Sequence, residues 1–193
     1  MATVSEVSIC NMALTELKAT PITSLTDPDS DRAVLSALWY PITRDAVLED
    51  SDWTFAIKRM TLTPLVAAPN WGYGKQFTLP GDILRLISVS DNATDENNID
   101  WRKEDNVVVC DSDTIYIRYV ARIEDPIKFS PSFVMCLAAR LASHLAIPVA
   151  GSRTLQQDKW QLYEMRLNEA DGNDGRQGMS DRIGTKSNII RRR

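Results

Sequence analysis

Histidine, cysteine and glycine are scarce: these 193 residues hold one, three and eight of them, which limits sites that depend on imidazole, thiolate or a glycine-rich loop. His144 stands alone, and no GxSxG run accompanies it, so a Ser-His-Asp or Cys-His centre has no visible nucleophile. Cys10, Cys110 and Cys136 form no CxxC pair, which argues against a disulfide framework and against zinc at a recognisable ligand spacing. They read as small apolar filler. GxGxxG and GxxxxGK[ST] are both missing, so no loop is built to cradle phosphate. Asp27-x-Asp29-x-Asp31 imitates the start of a calcium loop, but Arg32 replaces the sixth-position glycine and Leu38 the twelfth-position glutamate. No cofactor and no metal are expected. No apolar run looks long enough to span a bilayer, and MATVSEVSIC lacks the basic and apolar regions of a signal peptide. Membrane partners are therefore not expected, and synthesis and first folding are expected in the cytoplasm. Internal repeats are absent too.

What is present is an ordinary globular composition, 44% hydrophobic and 25% charged. The charge is unevenly spread. Residues 172–193 hold six basic and two acidic side chains, a net +4, which leaves −8 on residues 1–171 of a chain whose total is −4. An acidic body argues against general nucleic-acid binding, and a basic end suits docking on an acidic surface.

The periodicity runs from helix to strand and back. Ile9, Cys10, Ala13, Leu14 and Leu17 predict a helix over 4–18, stopped before Pro21. A second helix, capped by Asp29 or Ser30, runs to Glu49-Asp50; Val34, Ala37, Leu38, Pro41 and Ile42 are read as its buried stripe, with a kink at Pro41. Strand-like segments follow at about 54–63, 75–79, 83–90, 98–102, 106–110 and 113–120. Ser130-Pro131 opens a third helix lined by Phe133, Val134, Leu137, Leu141 and Leu145 up to Pro148. A fourth spans about 153–170, with Leu155 and Leu162 on one stripe and Trp160, Tyr163 and Leu167 on another. The expected fold is α+β: a helical bundle from residues 1–53 and 126–171, an inserted antiparallel β subdomain at 54–125, and an extended basic C-terminal tail at 172–193.

Three groups of residues invite a function. Trp71-Gly72-Tyr73-Gly74 lies in a Pro/Gly-rich loop, where exposed aromatics suit contact with a partner. The carboxylates Asp91, Asp95, Glu96 and Asp100 are numerous enough for glycoside hydrolysis, but nothing nearby desolvates one of them. No catalytic residues are assigned, and the chain is not expected to be an enzyme. The tail carries Ile183, Ile189 and Ile190 as aliphatic anchors beside Arg191, Arg192 and Arg193, a mixture that fits docking on a protein better than a purely solvated end.

A set of short motifs in order carries a resemblance. Ile9-Cys10-Asn11-x-Ala13-Leu14 is followed by Pro21-Ile22-x-Ser24-Leu25, Tyr40-Pro41-x-x-Arg44-Asp45-x-x-Leu48 and Trp53-x-Phe55-Ala56-x-x-Arg59. Next come Trp71-Gly72-Tyr73, Leu79-Pro80-x-Asp82-x-Leu84-Arg85, Leu137-Ala138-x-x-Leu141-Ala142 and Ala146-Ile147-Pro148. Over about residues 5–167 the chain resembles the head-to-tail adaptor of short-tailed bacteriophages, the tail tubular protein A family. It departs where Ser51-Asp52 stands in place of the family's frequent His-Pro. The resemblance implies a virion protein in a dodecameric ring, a homo-oligomer that sits between the portal protein and the tail nozzle protein. Double-stranded DNA would pass through its channel without specific binding. By analogy the tail would grip the portal, Trp71 and Tyr73 would meet the nozzle or a neighbour, and Pro41, Arg44, Asp45, Trp53 and Phe55 would act as structural anchors. A neck connector of a long-tailed phage and a tail-associated glycan hydrolase remain as alternative readings.

Overall fold

A computed structural model describes residues 4–93 and 99–174. The chain is mixed α+β, with four α-helices and two antiparallel three-stranded sheets. Helix α1 (Glu6–Glu16) starts on a reciprocal cap, in which Ser5 and Ser8 each satisfy the other's backbone. It buries Ile9, Cys10, Ala13 and Leu14, with Leu17 just beyond its end. Asn11 clamps the segment that follows the helix: it donates to the Ile22 carbonyl and accepts from the Ile22 N–H at 2.9 and 2.8 Å. That anchorage turns the extended segment back along α1.

Helix α2 (Asp31–Asp50) is capped by Ser30 and runs on through Pro41. Its inward face is not the expected one. Ala33, Ser36, Tyr40, Thr43, Arg44, Val47 and Leu48 are buried, whereas Val34, Leu38 and Ile42 are 50%, 59% and 58% exposed, with Ala37 and Pro41 beside them in solvent. Of the polar members of the inner face, Thr43 donates to the Trp39 carbonyl one turn back and Arg44 pairs with Asp45 and Glu124, whereas the buried Ser36 and Tyr40 hydroxyls have no hydrogen-bond partner among the described residues.

The β region holds two sheets, one ordered β1-β6-β3 (β1 Ile57–Leu62, β3 Ile83–Ser90, β6 Ile115–Ala121) and one ordered β2-β5-β4 (β2 Lys75–Thr78, β4 Trp101–Glu104, β5 Val107–Cys110). A 3-10 turn at Thr54–Ala56 occupies the start of the first expected strand. Phe77, Val108, Cys110, Ile115 and Ile117 bring both sheets into the core that the helices share.

Helix α3 (Pro131–Ala150) lies at the centre of the bundle, with α1, α2 and α4 (Arg153–Asp174) packed around it. It passes the expected stop at Pro148 and ends two residues later. Gly151 takes a left-handed φ of 62° there, and its N–H reaches the Ile147 carbonyl while Ser152 reaches Ala146. By length and composition α3 is apolar enough to cross a membrane, which no run of the chain was expected to be. Its apolarity is spent internally, since Phe133, Leu137, Leu141 and Leu145 are fully buried. Helix α4 reaches Asp174, so the first residues assigned to the tail are helical. Ala170 is buried and Asp171 bonds Ser51, which hold this last turn against the end of α2.

Candidate functional site

The expected structural anchors fall in two places. Trp53 is 1% exposed, donates Nε1–H to the Val47 carbonyl at 2.8 Å, and meets Phe133 edge-on at 5.1 Å. Phe55 is half-buried between Phe129 and Phe133. Arg44 grips Asp45, which also accepts from Arg122 at 2.7 Å, so α2 is tied to the end of β6 through charge. Pro41 is different: it lies in solvent on the outer face of α2 and anchors nothing within the subunit.

Two further charge networks stiffen the bundle. Arg140 of α3 pairs with Asp50 of α2, and the Tyr163 hydroxyl of α4 donates to the same carboxylate. The guanidinium also stands over the rings of Trp160 and Tyr163. Burial, then Asp50, pushes the Tyr163 phenol well above its ordinary value. Glu16 of α1 holds Arg166 of α4 at 2.8 Å. Trp160, read from sequence as part of an inner stripe, instead sits at the surface and donates to Glu164.

His144 stacks flat on Trp39, with ring centroids 4.8 Å apart and planes 6° apart. Burial, then the Arg140 charge, lowers its pKa from the ordinary value, so it is held neutral at pH 7. A groove of ≈ 660 Å³ runs beside it, lined by Ser143, Gln157, Trp160 and Glu164. The Ser143 hydroxyl in that groove donates to the Arg140 carbonyl at 2.7 Å. The thiols are buried: desolvation raises Cys10 to about 12 and Cys136 to about 11, and it raises Cys110 as well. Such thiols are inert as nucleophiles at neutral pH. Among the described residues no group of His, Cys, Asp or Glu is placed to hold a metal ion.

Two surfaces remain. The first is the outer face of α2, where Val34, Leu38 and Ile42 follow one another at four-residue spacing with Pro41 beside them. Asp31 precedes this stripe, and Asp45 and Glu49 follow it on the same side of the helix. The second surrounds the aromatic loop. Trp71 is 84% exposed at the mouth of an open cavity of ≈ 630 Å³ lined also by Pro69, Tyr73, Arg102, Glu104 and Asp111. Gly72 has a φ of +92°, which a side chain would strain, and Asp111 accepts the Gly74 N–H at 2.7 Å. The loop is further tied to β2 by the Leu65 N–H to the Gln76 carbonyl and by the Gln76 amide to Ala67. Desolvation and then a hydrogen bond to Asp100 raise the Tyr73 phenol. Arg102, Glu104 and Asp111 were not foreseen as neighbours of Trp71, because strand pairing across β2, β5 and β4 assembles them.

Asp91 and Asp100 are exposed. Asp95 and Glu96 lie outside the described residues, as do Ile183, Ile189, Ile190, Arg191, Arg192 and Arg193. No protein-family model matches this chain, and no curated protein matches it.

Proposed function

We propose that the chain is a structural adaptor of a short-tailed phage particle, a ring-forming subunit between portal and tail nozzle that extends the DNA channel. The observation that carries this reading is the outer face of α2. A helix locked to its neighbours by Arg44, Asp50 and Trp53 leaves its most apolar stripe in solvent. A contiguous exposed apolar stripe on a rigid element is what a protein–protein contact requires. The Trp71 loop adds a second such feature in another part of the fold, as a subunit with several neighbours needs. The acidic body, −8 over residues 1–171, suits a conduit that repels phosphate and lets DNA slide. The ordered motifs of the sequence supply the identity of the assembly, and the tail at 172–193 is assigned to the portal.

The test is electron microscopy of the purified chain mixed with portal rings. The expected result is a ring of adaptor density beneath the portal, lost when residues 175–193 are removed. Portal binding at full strength by the shortened chain would overturn the tail's role. Turnover of polysaccharide by the purified chain, with no ring formed, would replace the adaptor by a glycan hydrolase.

A further inference from the structure

The cavity beside Trp71 is made of two parts that meet only in the folded chain. Its floor is one face of the sheet β2-β5-β4. Gln76, Val109 and Arg102 form a single rung across the three strands, and Glu104 lies two residues on from Arg102, on the same face. Val109 is 2% exposed, so the middle of the floor is apolar, with an amide and two opposite charges around it. Its wall is the loop at 68–73, which presents Trp71 and Tyr73.

That wall is fixed before any ligand arrives. Gly72 sits at a φ of +92°, Asp111 holds the Gly74 N–H, and the Gln76 amide holds the Ala67 carbonyl. The Tyr73 hydroxyl is bonded to Asp100. Trp71 still stays 84% exposed, a large ring held in solvent. The cost of ordering the loop is therefore met in folding and not in binding.

The lining selects a ligand by exclusion. Glu104 and Asp111 oppose a phosphate or sulfate chain, and Arg102 opposes a cationic one. A wholly apolar ligand would strip water from all three charges. A neutral molecule remains, with an apolar face for the indole and a rim of groups that both donate and accept hydrogen bonds. A pyranose has this form: its C–H bonds make one face apolar, and its hydroxyls donate to a carboxylate and accept from a guanidinium. The Asn70 and Glu104 side chains have no hydrogen-bond or ion-pair partner among the described residues, so both can serve such hydroxyls. The cavity, ≈ 630 Å³, falls within the range of about 300–1,000 Å³ for small-molecule sites.

We propose that this cavity binds a neutral oligosaccharide, with one pyranose stacked on the Trp71 indole and its hydroxyls bonded to Arg102, Glu104 and Asn70. The step is binding alone, and no glycosidic bond is broken. A concave, mostly polar site suits a sugar better than a protein surface, for which the α2 stripe is the more apolar candidate. The adaptor reading rests on that stripe and is unaffected, except that the Trp71 loop then faces a glycan and not a neighbouring subunit. No portal enters the test, so the two readings fail separately.

The experiment titrates the full nitrogen-15-labelled chain with cellotriose, maltotriose and N-acetylated chitotriose, each to millimolar concentration. The indole N–H signal of Trp71, assigned by its loss in Trp71→Ala, is expected to shift saturably with at least one of them. The signal of the buried Trp53 is expected to stay in place. Trp71→Ala and Arg102→Met are each expected to weaken binding by roughly tenfold or more, read from saturation transfer to the sugar, with the melting temperature unchanged. A sulfated heparin trisaccharide is expected not to bind. No shift with any of the three neutral sugars, binding undiminished in Trp71→Ala, or equal binding of the sulfated sugar would each overturn the proposal.

Discussion

Two leucines ten residues apart on α2 test which way that helix faces. Leu48 is fully buried and Leu38 is 59% exposed. Truncating Leu48 to alanine removes buried carbon and leaves a cavity, a loss of about 2–5 kcal/mol. Leu38→Ala removes the same atoms from a site already mostly wet. At about 0.8 kcal/mol per buried methylene, scaled to the part withdrawn from water, its cost is capped near about 1 kcal/mol. Urea melts of the two variants measure the difference, and unchanged m-values show that both unfold from the same native state. For a domain of this size the melting temperature should fall by roughly 4–20 °C for Leu48→Ala and by roughly 4 °C at most for Leu38→Ala. Equal costs, or a larger one at Leu38, would mean that the helix is turned with Val34, Leu38 and Ile42 inward, and the exposed stripe would not exist. The assembly reading adds a second expectation. Leu38→Asp should fold normally, yet form no rings on a portal, because a carboxylate on a contact face opposes burial.

The remaining predictions probe the rest of the molecule. Trp53→Ala should cost about 3–5 kcal/mol in urea melts; Trp53→Phe keeps a ring but also loses the hydrogen bond to the Val47 carbonyl, so it should cost less than Trp53→Ala yet still about 1 kcal/mol or more, and a Trp53→Phe variant as stable as the unaltered chain would show that the bond contributes nothing. His144 has a folded pKa below its unfolded value, so the unfolded chain binds the extra proton first, and stability should fall as pH drops through about 6.5 and level off below the folded pKa. His144→Phe keeps a ring against Trp39 and should flatten that slope between pH 5 and 7.5; an unchanged slope would locate the titration elsewhere. Cys10, Cys110 and Cys136 should be unreactive towards a thiol reagent in the native protein and all three should react in denaturant, so one fast native thiol would contradict the burial of that residue.

Legibility from sequence followed how local the determinants are. Helices α1 and α3 could be read because their buried faces are apolar apart from Ser143, and a count of apolar residues at helical spacing finds Ile9, Ala13 and Leu14, or Phe133, Leu137 and Leu141. The same count misplaced the buried face of α2 because this helix carries two candidate stripes. One is Val34, Leu38 and Ile42; the other is Ala33, Tyr40, Val47 and Leu48, diluted by Ser36, Thr43 and Arg44. The diluted face is the one that is buried. Arg44 is tolerated there because Asp45 and Glu124 meet it, and Glu124 is eighty residues away in sequence. A pattern read within one helix contains no information about that partner. The surroundings of Trp71 were illegible for a related reason, since Arg102, Glu104 and Asp111 arrive through pairing of strands that are separated in the chain. The helical extension past residue 171 rests on a contact with Ser51, which lies 120 residues earlier.

An exposed apolar stripe is also a hazard to a subunit that has to build a ring. Val34, Leu38 and Ile42 lie in a single row, and two copies of such a row can pack on each other about a twofold axis. That contact is isologous and closes at two, a dead end for a ring, which needs each subunit to offer one surface to the next and a different one to the last. Leu38→Asp should therefore keep the free chain monomeric in sedimentation equilibrium at concentrations where the unaltered chain dimerises, because a carboxylate in the middle of the row opposes its burial against a second copy. An unaltered chain that stays monomeric at every concentration would show that the stripe does not pair with itself.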